Sequence, residues 1–393
     1  MRKISAAAAA VFALGMAGST AQAADPLKIG VLLPTSGFLA SLGKEQTNAM
    51  KLAVEMAGGS VAGRKIELLF EDTEAKPPVG QTKLRKLILS DKVDVTAGVV
   101  SSAVALAIAP YLSRMKMPLV ISNAGTNLLS GAKCNRYVLR AAYSMAQSSE
   151  PIGKYMAKKG IKSVYILAAD YVAPREAVEA FKKAFTAGGG KVLGEIWTPF
   201  GRTQDFGPFI SKARAAKPDA IFPVYYGGEA ILFAKQYEAF GLKKSIPLYS
   251  ALGYTPRMLH RAQGDTALDV IQSSNYVAEL THPENKTFVE AYSKKFGSLP
   301  SEFAAYAFDS IHVILEAVKA RKGDTKDKAA LVSAMEKVSF TGPRGPIQFS
   351  SSSRGITQNW YIVKTVKKGK DISFDILDTY SNYKDPIEGC KLK

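Results

Sequence analysis

Two short segments of this 393-residue chain gather small hydroxyl and amide side chains where strands would hand over to helices. Residues 99–102 read Val-Val-Ser-Ser, and residues 121–126 read Ile-Ser-Asn-Ala-Gly-Thr. Ser101 and Ser102 open a helical stretch over 102–114. A helix N-terminus carries unpaired N–H groups and a partial positive charge, so with hydroxyl donors beside it the turn forms a cradle for a carboxylate. Plain N-capping accounts for either segment alone; the occurrence of both, after successive strands, brings an anion site level with it. Catalytic chemistry is poorly provided for. His260, His282 and His312 have no metal-ligand spacing to one another or to a cysteine, and no G-x-S-x-G elbow occurs. The run GGSVAGRK at 58–65 puts Arg64 where a phosphate loop needs lysine, and it lies between a helix and a strand. The chain is therefore expected to be no enzyme and to hold no metal or cofactor.

The elements that must position these turns alternate regularly. Apolar runs at 27–33, 66–71, 93–100 and 118–122 read as buried strands, with helical spacing over 43–57, 79–89 and 102–114 between them. The pattern restarts after 137–140. Strands are expected at 163–168, 191–197, 220–224 and 247–250, with helices at 175–187, 206–216 and 228–240. A return strand at 270–276 precedes three helical stretches, 285–296, 301–320 and 326–337. A Gly/Pro/Ser-rich stretch at 341–355 then leads to a hairpin of strands 360–366 and 373–380. The fold class this implies is α/β, with two doubly wound parallel-sheet lobes. Ligands of open parallel sheets bind beyond the carboxyl ends of the strands, which is where both hydroxyl-rich turns fall.

Residues 1–23 read as an export signal, with Arg2 and Lys3, a short alanine-rich apolar run, and Ala21-Gln22-Ala23 before the cut. No later segment is long and apolar enough to span a bilayer. With 52 Lys+Arg against 34 Asp+Glu the formal charge is +18. The lysines are scattered in pairs such as Lys158-Lys159 and Lys182-Lys183 without an Arg/aromatic run, which reads as solvated helix faces and not as a nucleic-acid module. Export to an oxidising space favours one disulfide between Cys134 and Cys390, the alternative being two unrelated cysteines.

The segments 27–37 (LKIGVLLPTSG), 59–72 (GSVAGRKIELLFED), 120–126 and 305–309 resemble the branched-chain amino acid type of solute-binding protein, the extracytoplasmic receptors of ABC importers. The resemblance implies the type I periplasmic binding fold, two lobes joined by a three-strand hinge that close on one small ligand. It would divide the chain into a first lobe of 24–143 and 276–355, a second of 144–275 and 356–380, and a tail of 381–393. By the same resemblance Ser101, with Ser102, would hold a ligand carboxylate, and Ala124, Gly125 and Thr126 would meet the ligand's main-chain groups. Leu42 would lie over the ligand, and Tyr171 and either Tyr225 or Tyr226 would contribute from the second lobe. The implied partners are a small-molecule carboxylate and an inner-membrane ABC permease, with no nucleic acid; the receptor itself would be a periplasmic monomer.

Amino-acid receptors place an acid after the fourth strand of the second lobe to take the ligand ammonium, yet residues 251–255 read Ala-Leu-Gly-Tyr-Thr. A buried ammonium without a carboxylate is costly, so a ligand lacking an amino group is favoured. Residues 301–306, 342–349 (GPRGPIQF) and the loop around Tyr171 also resemble the subgroup that imports aromatic carboxylates, of the benzoate or hydroxycinnamate type. Tyr171, Tyr225, Tyr226 and Tyr254 would suit a ring. A Leu/Ile/Val ligand with Glu229 as ammonium partner stays open, as does a sensor that signals to a membrane receptor.

Overall fold

The first strand, β1 (Ala24–Leu33), buries apolar side chains on both of its faces, so it must lie between two helical layers. Ile29, Val31 and Leu33 pack into one core and Leu32 into another. The structure is a computed structural model and describes residues 24–350 and 353–392; the expected export signal lies outside the described residues. Around β1 stand β2 (Ser60–Val61), β3 (Arg64–Asp72), β4 (Val95–Gly98), β5 (Leu119–Ile121) and β6 (Val138–Arg140), in the order β2-β3-β1-β4-β5-β6. All pairs are parallel except β2 with β3. One face is covered by helices Ala40–Met56 and Glu302–Ala320, the other by Pro77–Leu89 and Ser102–Met115. Glu302–Ala320 comes from late in the chain, so this lobe is built from two separated stretches.

The second lobe carries β7 (Ser163–Asp170), β8 (Lys191–Pro199) and β9 (Ala220–Val224) as a parallel trio. A single bridge, Ile221 to Leu248, leads on to β10 (Tyr249–Ser250) and the parallel β11 (Ile271–Ser274). Two further strands join at the hinge, β12 (Ser339–Gly342) and β13 (Gly345–Phe349), paired as a hairpin that runs into the stretch read from sequence as Gly/Pro/Ser-rich. The long antiparallel β14 (Ile356–Lys368) and β15 (Asp371–Tyr383) complete the second lobe, so its sheet is mixed at this edge. Helix Met145–Lys158, absent from the sequence reading, packs against Val172–Ala187. Pro151 and the pair Ser148-Ser149 mask its periodicity, but Ser144 and Gln147 form a capping box at its start.

The chain leaves the first sheet after β6, returns to the first lobe after β11, and rejoins the second sheet through β13 and β14; one buried polar cluster holds these passages together. Arg344 donates to Asp309 Oδ2 at 2.7 Å, to the Ala141 carbonyl at 2.6 Å and to Gln358 Oε1 at 2.6 Å. Asn275 Nδ2 donates to the same Gln358 oxygen, and the Tyr306 hydroxyl donates to Asn275 Oδ1. Breaking such a fully buried pair leaves a bare charge, at a cost of about 3–5 kcal/mol.

The tail adds a fourth link. β15 ends in the second lobe, yet Asp385 accepts from Arg140 and Ser130 of the first lobe and from Ser144 at the first passage. A disulfide joins Cys134 to Cys390, with Cα atoms 5.4 Å apart.

Candidate functional site

The turn after β4 is built under strain. Val99 adopts φ +68°, a left-handed conformation that β-branched residues rarely accept. It is held there by its N–H donating to the Leu32 carbonyl at 2.7 Å and by its own carbonyl accepting from Ala124 N at 2.9 Å. The kink aims Ser101 and Ser102 at the space between the lobes. Ser101 is the N-cap of helix Ser102–Met115, and its hydroxyl accepts from Val104 N at 3.5 Å. The N–H groups of Ser102 and Ala103, within the first helical turn, have no helical partner by construction.

The neighbouring turn after β5 is tied to the first. Asn123 Nδ2 donates to the Val100 carbonyl at 3.1 Å. That bond fixes the amide orientation, because the reverse would oppose two oxygens. Asn123 Oδ1 and the Ser102 hydroxyl are buried and have no partner among the described residues.

Both turns face a cavity of about 20 Å³, lined on the first-lobe side by Leu39, Leu42, Val100, Ser101, Ser102, Asn123 and Phe303. Tyr143 and Met145, from the first passage, and Tyr171, Ala173 and Tyr226, from the second lobe, close the rest. This volume holds little more than one water, so the lobes stand nearly shut upon the lining side chains. Burial raises the Tyr143, Tyr171 and Tyr226 phenols well above their ordinary range, which keeps all three neutral as hydrogen-bond donors. The Tyr226 hydroxyl lies 3.9 Å from Met145 Sδ, and the Tyr171 ring rests on Phe200 at 4.2 Å between centroids.

Among the ten residues expected at the site, Leu42, Ser101, Ser102, Tyr171 and Tyr226 meet at this cavity. The other five stand back from it. Tyr225 points into the second-lobe core, its ring 4.9 Å from that of Phe233 and its hydroxyl 3.4 Å from Thr198. Side chains of successive extended residues point to opposite sides, so Tyr226 at the cavity sends Tyr225 away from it. Tyr254 is fully buried in the same aromatic cluster. Ala124 is buried behind the turn, and Thr126 donates to Glu176 Oε1 at 2.7 Å. Gly125 backs the cavity wall, since a Cβ there would come 2.7 Å from Met145 Cε and 3.0 Å from the Tyr143 ring. Lining residues that the sequence did not name include Asn123, Tyr143, Met145 and Phe303; Asn123 and Phe303 lay inside segments already singled out, Tyr143 and Met145 did not.

Among the described residues no carboxylate lines the cavity. Residues 251–253 carry no charged side chain: Ala251 and Leu252 are buried, and Gly253 lies against the Tyr226 and Phe303 rings. Glu229 is buried and accepts from Gly201 N at 2.8 Å; burial lifts its pKa to about 7. Glu302, next to Phe303, is lifted by burial to about 8, with Glu45 adding repulsion. Larger hollows exist on the first lobe. One of about 370 Å³ lies on its outer face beside Phe308 and Phe340, and one of about 470 Å³ surrounds the Arg64–Asp94 ion pair. Neither lies at the carboxyl ends of the strands, where ligands of such sheets bind.

Comparison with known proteins agrees with this architecture. Residues 26–370 match the family model described as periplasmic binding protein. The chain is 32% identical to the Leu/Ile/Val-binding protein homolog 6 of Brucella melitensis biotype 1, over 98% of this chain and 99% of that protein. A solute-binding protein of an ABC transporter from Rhodopseudomonas palustris BisB5, solved with 3,4-dihydroxybenzoic acid, is 37% identical with a TM-score of 0.88. The match covers 92% of this chain and 99% of that one. An R. palustris solute-binding protein solved with benzoate is 33% identical, also with a TM-score of 0.88, over 93% of this chain and 100% of that one.

Proposed function

This chain belongs to the periplasmic binding protein family, and from that premise we propose that it captures a small aromatic carboxylate for an ABC importer. Members of this family that it resembles are solute-binding proteins and not enzymes, and membership implies a periplasmic location. The observation that carries the ligand class is the make-up of the cavity lining: a helix N-terminus with Ser101 and Ser102, three neutral tyrosines, and no carboxylate. The cradle takes the anion, the rings of Tyr171 and Tyr226 take the apolar body, and nothing offers an ammonium its partner.

Pockets for organic ligands commonly measure about 300–1,000 Å³, so the lobes part to admit the ligand and close over it. Closure of this kind needs only a modest difference in affinity between open and closed forms, tenfold for about 1.4 kcal/mol. The closed receptor, a monomer released by cleavage after Ala23, docks on an inner-membrane permease. The second reading, a Leu/Ile/Val receptor, is favoured by the name of the Brucella relative.

Isothermal titration of protein refolded free of ligand separates the two readings. Benzoate, 3,4-dihydroxybenzoate and hydroxycinnamates are expected to bind, while leucine, isoleucine and valine produce no heat of binding. Binding of leucine or valine with the aromatic acids silent would overturn the proposal.

A further inference from the structure

Phe38, in the loop after β1, is a large apolar side chain left 41% exposed at the rim of the cleft. Its chain neighbour Leu39 lines the cavity. Beneath its ring lie two glycines of the second lobe, and a third lies against its backbone. A Cβ at Gly201 would come 3.3 Å from Phe38 Cδ2, and one at Gly228 would come 3.1 Å from Cδ1 on the opposite edge of the ring. A Cβ at Gly227 would strike the Phe38 carbonyl oxygen at 2.6 Å. Gly228 N points to that same oxygen at 3.5 Å.

The platform has a reason to keep its shape. Gly201 follows β8 and Gly228 opens helix Gly228–Ala239, so the two belong to separate loops. Buried Glu229 joins them, its carboxylate accepting from Gly201 N. Tyr226, immediately before Gly227, is part of the cavity wall. An aromatic ring from one lobe thus straddles a side-chain-free surface of the other, at the edge of the cavity.

We propose that Phe38 is a clasp, seated on the Gly201–Gly228 platform only when the lobes are together, and that it slows escape of the bound ligand. The hinge cluster around Arg344 is buried within the passages, whereas the clasp must separate whenever the cleft opens. Phe38 is therefore a positioning residue for capture, acting through the closed state and not through contact with the ligand. The inference rests on the ligand reading above for its kinetic readout alone.

Stopped-flow release of 3,4-dihydroxybenzoate tests it. F38A is expected to raise the dissociation rate by about five- to tenfold, given the part of the ring that is covered. The association rate should stay near wild type, which a merely structural role would not predict. G228A, which pushes a methyl group toward the ring, should speed release in the wild-type background and add nothing in F38A, because the two changes remove one contact. A dissociation rate for F38A within twofold of wild type, or a G228A effect of equal size in both backgrounds, overturns the clasp. If no aromatic acid binds the wild type, the ligand reading falls and the clasp is judged by solution scattering of the free protein. A larger radius of gyration for F38A then supports it, and an unchanged one overturns it.

Discussion

The two faces of the cleft are made of different material. On the first lobe, Ser101, Ser102 and Asn123 supply every non-aromatic polar side chain of the lining, held by the strained turn at Val99. On the second lobe, Tyr171, Ala173 and Tyr226 offer rings and a methyl group. On the proposed reading, charge recognition would belong to a backbone-built face that is fixed in place, and shape recognition to an aromatic face that arrives on closure. On that reading a site without a carboxylate could still discriminate, reading the anion first and the body of the ligand afterwards.

The sharpest way to break that division is to put a negative charge on the first face. Ser102→Asp should leave the fold intact, since an acid suits the first turn of a helix. It should nonetheless weaken binding of 3,4-dihydroxybenzoate more than a hundredfold by titration, because two like charges near 4 Å repel by about 4 kcal/mol at an effective dielectric of 20. Equal loss for an uncharged ester of the ligand would show that the anion is not read there. Removing a ring from the opposite face should cost less. Tyr226→Ala and Tyr171→Ala are each expected to weaken an aromatic acid by about tenfold, in line with 0.5–1.5 kcal/mol per ring pair plus some lost area. An unchanged dissociation constant in both variants would remove the second lobe from the account.

The effect least tied to the ligand concerns a charge the first lobe suppresses. Glu302 lies beside the lining residue Phe303, and burial lifts its pKa to about 8. In the unfolded chain a glutamate titrates near 4.3. Below about pH 4 both states are protonated and no penalty exists; between there and pH 8 the folded state binds more protons, so stability falls as pH rises. Glu302→Gln should flatten that slope, stabilising the protein at pH 8.5 and not at pH 4, read from urea midpoints. Parallel curves for variant and wild type would mean that Glu302 titrates as an ordinary surface acid.

Legibility in the sequence followed the same boundary between the faces. The cradle at Ser101–Ser102 is a local feature, a strand end followed by an N-cap, and could be read from adjacent residues. The alternation of apolar runs and helices was likewise local, and it gave the α/β lobes. The aromatic face depends on which way side chains point once the strands are laid in a sheet. Tyr225 and Tyr226 were therefore indistinguishable, and Tyr254, expected in the cleft, is in the core. Tyr143 and Phe303 reach the cavity because the chain crosses the hinge and returns, a long-range event; Phe303 was flagged only through the resemblance of segment 301–306, and nothing local marked Tyr143. Helix Met145–Lys158 was hidden by Pro151, although its capping box at Ser144 and Gln147 was in plain view.

A crystal structure of the protein with 3,4-dihydroxybenzoate tests the division of labour most directly. The account predicts the carboxylate within about 3 Å of the N–H groups of Ser102 and Ala103, and the ring enclosed between Tyr171 and Tyr226. A ligand whose carboxylate rests against the second lobe, with its ring on Ser101 and Asn123, would contradict it.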